Sequence, residues 1–217
     1  MSPFPLMNYF LTLLAVILFV IGLVALTPDD ERPGEPPTGL PWQIEVLPDG
    51  SPRVFGITLG RSTLGEAGER LGRDRELAII AAPDEPGALE MYYGHYSAGG
   101  ITGKLILVAD LTPAVLLELR ERALQDGGTR RYYLDTGDLP IAYRAPVKLI
   151  TFLPSIDLDA DAVRHRFGQP EETIESSAQL QHLLYPDKGL DVVIDRNGKE
   201  VLQYLTPREF TKLREQW

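Results

Sequence analysis

Two stretches of this chain begin alike: residues 111–121 read LTPAVLLELRE, and residues 205–215 read LTPREFTKLRE. In each, a threonine precedes a proline. A threonine hydroxyl at the N-cap accepts a hydrogen bond from a free backbone amide, and proline suits the first helical position because no N–H is needed there. In the second stretch, Glu209 is placed to complete a capping box with Thr206. The pattern predicts two helices that start in the same way.

Each of these helices carries two apolar residues three positions apart, which places both on one side of the helix. They are Leu116 and Leu119 in the first helix, and Phe210 and Leu213 in the second. We expect this side to face the core.

A second pair of similar segments lies upstream. Residues 62–72 read STLGEAGERLG and residues 158–168 read LDADAVRHRFG, and each is a short amphipathic pattern that ends at glycine, as many helices do. Runs with strand-like composition lie between each short helix and the Leu-Thr-Pro helix that follows it. These runs are residues 76–82, 89–96 and 101–109 in the first half, and 172–175, 180–185, 190–195 and 201–205 in the second.

The predicted fold class is therefore α+β. We expect two tandem helix–antiparallel meander–helix units packed as one soluble region and preceded by one transmembrane helix. A hairpin at residues 42–47 and 53–57 leads in, and strands at 132–134, 141–143 and 148–152 connect the units. The expected domains are 1–27, the N-terminal membrane anchor; 28–41, a Pro-rich linker; 42–128, the first repeat with its hairpin; and 129–217, the connecting strands and the second repeat.

The anchor is predicted from residues 10–26, FLTLLAVILFVIGLVAL, an uncharged stretch. Extended back to Leu6, it reaches the roughly 20 residues that a helix needs to cross a bilayer. A cleaved signal peptide is the competing interpretation, but no Lys or Arg precedes the stretch, and the bulky Leu23 stands two positions before the small residue Ala25. We expect a single-pass protein of the inner (cytoplasmic) membrane, with its soluble region in the periplasm.

Charge and cysteine content exclude several classes of function. The chain has 21 Lys and Arg against 31 Asp and Glu, a net charge of −10, and all of these residues lie at or beyond Asp29. An acidic region of this kind disfavours nucleic acid as a partner. Because there is no cysteine, disulfides, thiolate metal sites and a lipidated N-terminal cysteine are excluded.

The second unit carries a set of features that resembles the SmpA/OmlA family, small envelope proteins typified by the lipoprotein subunit of the outer-membrane β-barrel assembly machine. The features are a helix closing on Phe167-Gly168 with Pro170 after it, a strand ending in Tyr185, and residues 189–194 before Gly198. The first unit matches more loosely, at residues 71–72 and 92–93. The chain departs from the family in lacking the lipid-bearing cysteine. The resemblance implies helices packed on a curved antiparallel sheet, and a binding role in the envelope.

Motifs for catalysis, metals and cofactors are incomplete. Residues 98–104, AGGITGK, approach a phosphate-binding loop, but Leu105 stands where Ser or Thr would hold magnesium, and a hairpin turn at Gly99-Gly100 is the simpler interpretation. The histidines, His95, His165 and His182, are not at metal-ligand spacing. Helix capping explains the alternating aspartates, Asp157, Asp159 and Asp161. The serines lack a nucleophile elbow; they are Ser62, Ser97, Ser155 and Ser176. We predict no catalytic residue, no metal and no cofactor.

One strand offers a candidate binding surface. Residues 91–96 read MYYGHY, which places aromatic residues on both sides of a strand. Tyr92 and Tyr96 are the predicted binding residues, because amphipathic aromatics are enriched at contact sites; packing in the core is the alternative.

The functional expectation is a membrane-anchored bacterial envelope protein that acts as a non-catalytic binding or scaffold module, or as an accessory subunit. Its partner would be another envelope or membrane protein. The alternatives are an envelope enzyme with carboxylate-based chemistry, and an inhibitor-like module that grips another protein in a concave surface. Two close carboxylates in a deep pocket would favour the enzyme, whereas a shallow aromatic-lined surface would favour binding.

Overall fold

One antiparallel sheet of ten strands is the largest element of the fold. The computed structural model describes residues 39–82, 85–127, 130–196 and 199–215. The strands in chain order are β1 Glu45–Val46, β2 Pro52–Val54, β3 Ile57–Thr58, β4 Glu76–Ile80, β5 Ala88–Ala98, β6 Ile101–Ala109, β7 Leu124–Gln125, β8 Arg131–Tyr133, β9 Val147–Pro154, β10 Glu172–Glu175, β11 Leu180–Tyr185, β12 Leu190–Asp195 and β13 Val201–Leu205. Strands β1, β2 and β3 form a small separate sheet, and the large sheet has the order β10-β11-β12-β13-β9-β6-β5-β4-β8-β7.

Five short helices accompany these sheets within the described ranges. They are α1 Leu64–Leu71, α2 Pro113–Arg122, α3 Leu139–Arg144, α4 Ala160–Phe167 and α5 Pro207–Arg214. None of them is long and apolar enough to cross a membrane. The predicted anchor, residues 1–27, and most of the predicted linker lie outside the described residues.

Strand β9 joins the two halves of the large sheet. It pairs with β13 on one side and with β6 on the other, so that Phe152 lies opposite both Leu202 and Leu105. The predicted fold class, two helix–meander–helix units behind a transmembrane helix, is therefore wrong: the strands of both predicted units belong to one ten-stranded sheet, and the described residues form few helices. The physical reason is that separate units would leave the edges of β6 and β13 unpaired, and the segment predicted as a connection satisfies both edges.

A second correction concerns residues 141–143, for which the sequence predicts a strand. They form part of α3, because Pro140 suits the first turn of a helix and a turn capped by the Asp135 side chain leads into it. α3 packs closely on α1 at Gly65, where a Cβ atom would lie 3.0 Å from the carbonyl oxygen of Tyr143. Glycine at position 65 permits the close approach of the two helices. Ile141 and Tyr143, whose residue types favour a strand, belong to a helix instead.

The helix starts follow the predicted chemistry with one exception. Thr63 accepts from the Glu66 amide, and the Thr63 amide donates to the Glu66 carboxylate at 2.9 Å, which completes a capping box at α1. The Thr206 hydroxyl likewise accepts from the Glu209 amide. The capping box predicted at Thr206 and Glu209 is absent, because the Thr206 amide donates to the Lys148 carbonyl of β9 and the Glu209 carboxylate binds Lys212. The backbone at the start of α5 is therefore hydrogen-bonded to strand β9 of the sheet.

The large sheet has two faces with different cover. Its first face carries the main hydrophobic core, on which β1–β3 and helices α1 to α4 pack through Val54, Phe55, Leu64, Leu119, Ala142 and Val163, among others. On the second face lies α5, whose Phe210 and Leu213 belong to a separate apolar cluster with Leu184, Leu205, Leu149 and Ile174. Two similar Leu-Thr-Pro helices, α2 and α5, therefore lie on opposite sides of the sheet.

Two tyrosines tie the short helices to the strands in the same manner. The hydroxyl of Tyr93 donates to the Gly72 carbonyl at 3.3 Å, and that of Tyr185 donates to the Gly168 carbonyl at 3.0 Å. Both glycines end a short helix with a positive φ, 106° and 88°, a conformation that favours glycine. Each bond satisfies a carbonyl that the end of a helix leaves without an internal partner.

Gly103 marks the tightest point of the sheet interior. A Cβ atom at this position would lie 2.6 Å from a ring carbon of Phe152 and would also collide with the Leu153 carbonyl oxygen. Only glycine therefore allows β6 and β9 to pair around the buried Phe152 ring.

Candidate functional site

No helix of the described ranges lies over part of the second face. Because side chains alternate along a strand and the register is known, one set of residues from β4, β5, β6 and β8 must share this face. It consists of Glu76, Ala78 and Ile80; Glu90 and Tyr92; Lys104, Ile106 and Val108; and Arg131 and Tyr133. We call this set the open face. Among the described residues, the apolar cover of the second face comes from α5 and stops at β9.

The open face is apolar in its centre. Val108 and Ala78 are buried on either side of Glu90, with Ile106 and Tyr92 partly exposed beside them. At the edge of the sheet, Leu124 of β7 is 75% exposed, and Tyr133, which pairs with it, is 36% exposed. Exposed apolar side chains next to one another are a feature of contact sites.

A shallow cavity lies in the middle of this face. Its volume is about 160 Å³, and it is lined by Glu76, Ala78, Ile80, Glu90, Tyr92 and Arg131. Two wider depressions continue it along the sheet, one towards Arg75 and His95 and the other towards Asp126 and Arg130. Pockets for small molecules generally hold about 300–1,000 Å³, so the central cavity is small for a ligand, whereas the continuous depression suits an extended contact.

The charges on this face differ in their surroundings. Arg131 pairs with the Glu76 carboxylate at 2.9 Å, and both side chains are substantially exposed. Glu90 is partly buried, and burial raises the pKa of its carboxyl group above the ordinary range. Within the described part of the chain, no side chain forms a hydrogen bond or an ion pair with the Glu90 carboxylate. An incompletely solvated carboxylate without a cation is unfavourable, so a bound cation would stabilise it.

The two predicted binding residues are not brought together. A bulge between Tyr93 and Tyr96 shifts the register of β5, and this shift turns Tyr96 to the first face. There its ring packs edge-on against Phe55 at a centroid distance of 5.7 Å, within the main core. Tyr92 remains on the open face and lines the cavity. In a regular strand, a spacing of four residues would place Tyr92 and Tyr96 on the same face. The bulge changes the alternation and places them on opposite faces.

Sequence reasoning did not identify Glu90 and Arg131. The signal for Glu90 is present: in the run Ala88 to Tyr93, the residues Leu89, Met91 and Tyr93 alternate with Glu90 and Tyr92, which predicts one core side and one mixed side. The neighbour across the sheet could not be predicted, because Arg131 reaches this face through β8, which follows α2 and pairs back onto β4.

On β11 and β12, the second face carries a buried pair of titratable groups. The Nδ1 atom of His182 lies 2.8 Å from Asp191 Oδ2, and the Asp191 residue is fully buried. Burial raises the pKa of the Asp191 carboxyl, and the hydrogen bond to His182 opposes this shift. The other oxygen, Oδ1, has no hydrogen-bond partner among the described residues. The pair is sealed in the interior and offers no access to a substrate.

Other sequence candidates take structural roles. The Asp159 side chain accepts from the Ala162 amide at 2.7 Å and caps α4, as predicted. Gly99 and Gly100 form the predicted turn between β5 and β6, so the phosphate-loop-like run is a hairpin. His95 borders one of the depressions. In the ranges that the structure covers, no group of three His, Asp or Glu side chains is placed to hold a metal ion.

The carboxylates of Glu76 and Glu90 line the same cavity, as the alternative enzymatic function requires. Their geometry favours contact over catalysis, however, because Glu76 is engaged by Arg131 and the cavity is small and open to solvent. A general acid or base works best in a site that excludes water around the reacting group.

Comparison with known proteins returns no match among family models, curated proteins or solved structures. The open face, with its apolar centre and the Glu90 carboxylate, is therefore the feature from which we infer a function.

Proposed function

We propose that this chain is a membrane-anchored, non-catalytic binding module of the bacterial cell envelope, and that its open face binds another envelope or membrane protein. The observation that carries the proposal is the unequal cover of the second face. Among the described residues, α5 packs on this face over β9 to β13, whereas Ile80, Tyr92 and Ile106 on the half formed by β4, β5, β6 and β8 stay partly exposed.

The composition of the open face supports a protein as the partner. Protein interfaces are enriched in aromatic and arginine residues among apolar side chains, and here Tyr92, Tyr133 and Arg131 lie beside Ala78 and Val108. The net charge of −10 argues against nucleic acid. Attachment to the inner membrane, with this domain in the periplasm, is part of the proposal and is supported by the apolar stretch at residues 10–26.

Site-specific photocrosslinking in intact cells tests the binding surface. The full-length chain would carry p-benzoylphenylalanine at Ile106, in the centre of the open face. A matched control would carry it at Leu117, which is 46% exposed on α2. Because α2 packs on the first face, this position lies on the opposite side of the sheet. We expect a discrete crosslinked product with the first variant and none with the second. Equal products from both positions, or none from either, would contradict a partner at the open face.

The location is tested separately. A protease site placed after residue 215 should be cleaved by protease added to spheroplasts of cells that produce the full-length chain. Protection of the site until the membrane is permeabilised would overturn the periplasmic assignment.

A further inference from the structure

The covered half of the second face shows which kind of element suits this sheet. α5 places Phe210 and Leu213, three residues apart, against the apolar side chains of Leu184 and Leu205. Polar contacts hold its border: Arg208 makes two 2.7 Å hydrogen bonds to the Asp110 carboxylate, and the Lys148 ammonium lies 3.9 Å from the Glu209 carboxylate. An amphipathic helix with a charged border is therefore the cover that this face accepts.

The open half has the dimensions for a second helix beside α5. It is formed by β6, β5, β4, β8 and β7, which are neighbours in the sheet. Strands lie about 4.8 Å apart, so these five span roughly 20 Å. A helix with its side chains is about 10 Å across. The open face therefore accommodates a helix with room for bordering contacts on each side.

Glu90 determines the charge of that helix. It stands between Ala78 on β4 and Val108 on β6, both buried, and no described side chain pairs with it. A wholly apolar helix laid over this position would bury an unpaired carboxylate, which is strongly unfavourable. A helix with a cationic side chain at the same place would form a charge-assisted hydrogen bond with the Glu90 carboxylate and so avoid this cost.

We propose that the partner docks an amphipathic α-helix on the open face, beside α5, and that a Lys or Arg within the apolar side of this helix pairs with Glu90. This inference rests on the proposed function and specifies the chemistry of the partner.

Two other occupants fit the face less well. The apolar N-terminal stretch of this chain, residues 10–26, has no Lys or Arg to offer Glu90. A second copy of the chain, related by a twofold axis through the centre of the open face, would place one Glu90 carboxylate against the other. Repulsion between like charges disfavours that arrangement.

Selection from a displayed library tests the inference and does not require the partner to be identified. The full-length chain, in non-ionic detergent micelles, would be the target. The library would consist of helix-forming peptides whose apolar side is randomised among Leu, Val, Phe, Ala, Lys, Arg, Glu and Gln. Isolated peptides would be assayed by fluorescence anisotropy on the wild type and on four variants. One of these, Ile106→Arg, places a charge on the open face itself.

The first variant, Glu90→Gln, removes the charge and keeps the shape; the second, Glu90→Lys, reverses the charge. The matched control is Glu121→Gln, an exposed glutamate on α2. Circular dichroism would confirm that each variant is folded.

We expect Lys or Arg to be enriched at one position of the apolar side on the wild type and on Glu121→Gln. The enriched peptides should bind Glu90→Gln about tenfold more weakly, as expected for loss of a charge-assisted hydrogen bond. Selection on Glu90→Lys should enrich Glu at the same position.

Three results would overturn the inference. The first is a set of binders with no cationic preference, which would contradict the pairing with Glu90. The second is binding that Ile106→Arg does not weaken, because such peptides would lie elsewhere on the chain. The third is self-association that Ile106→Arg abolishes, measured by analytical ultracentrifugation, because a second copy would then be the occupant. In the first two cases, a product at Ile106 that links this chain to a different protein in cells would leave the proposed function standing, whereas its absence would remove both. In the third case, a product that links two copies of this chain would remove both.

Discussion

Replacing Phe210 with alanine tests whether α5 is held on the second face by apolar packing. The Phe210 residue is 4% exposed and forms the centre of the cluster with Leu184 and Leu205. A buried phenylalanine removes roughly 200 Å² from water, which at about 25 cal/mol per Å² corresponds to about 5 kcal/mol. Alanine keeps a small part of that contribution, and Phe→Ala changes in cores generally cost about 3–5 kcal/mol.

We expect the loss for Phe210→Ala to be about 3 kcal/mol, at the lower end of that range. The reason is that α5 has only 8 residues and follows the last strand, so it can move to close part of the cavity. The assay is urea unfolding of the full-length chain in non-ionic detergent, followed by circular dichroism. Leu117→Ala, at a position 46% exposed on α2, is the matched control and should change stability by less than about 0.5 kcal/mol. A loss below about 1 kcal/mol for Phe210→Ala, or equal losses for both variants, would refute the packing of α5 on the sheet.

Three further predictions concern positions inside and on the sheet. Gly103→Ala should lower the free energy of unfolding by about 1–3 kcal/mol because its Cβ atom collides with the neighbouring strand; Gly94→Ala, whose Cβ atom would have its nearest contact at 3.5 Å, should change it little in the same urea titration. Tyr185→Phe should cost about 1 kcal/mol, since it deletes the hydroxyl that donates to Gly168, and a thermal unfolding curve identical to that of the wild type would contradict this bond. Burial raises the pKa of Glu90, so its carboxyl holds a proton to higher pH in the folded chain than in the unfolded chain, and the contribution of this group to wild-type stability falls as pH rises through the acid range. Glu90→Gln lacks this loss and should be the more stable protein at pH 7, with no advantage below about pH 4; an unchanged advantage at both pH values would show that charge is not the cause.

The sequence was most informative where chemistry is local. The starts of α2 and α5 depend on a threonine and on residues within one turn of it, so the caps at Thr112 and Thr206 could be predicted. The strands of both meanders were recognised for a similar reason, since alternation and turn residues are visible within ten residues or so.

Contacts between distant segments could not be predicted in this way. Nothing within residues 148–152 distinguishes a connecting strand from one that pairs on both sides, because the partners, β6 and β13, lie far away in the chain. The sides on which α2 and α5 lie were equally inaccessible, since both helices have a similar apolar pattern. The bulge in β5, which places Tyr92 and Tyr96 on opposite faces of the sheet, could not be predicted either.

The position of β13 has a consequence for how this protein is made. Strand β13 comes after all the other strands in the chain, yet its place is in the interior of the sheet, between β12 and β9. During synthesis, β4, β5, β6 and β9 emerge earlier and can assemble. The edge of β9 that pairs with β13 in the complete sheet is then unpaired. Such an edge readily recruits strands from other chains. A chain that folds before β13 has been added therefore exposes an unpaired edge at β9, and this edge is covered only when β13 enters the sheet.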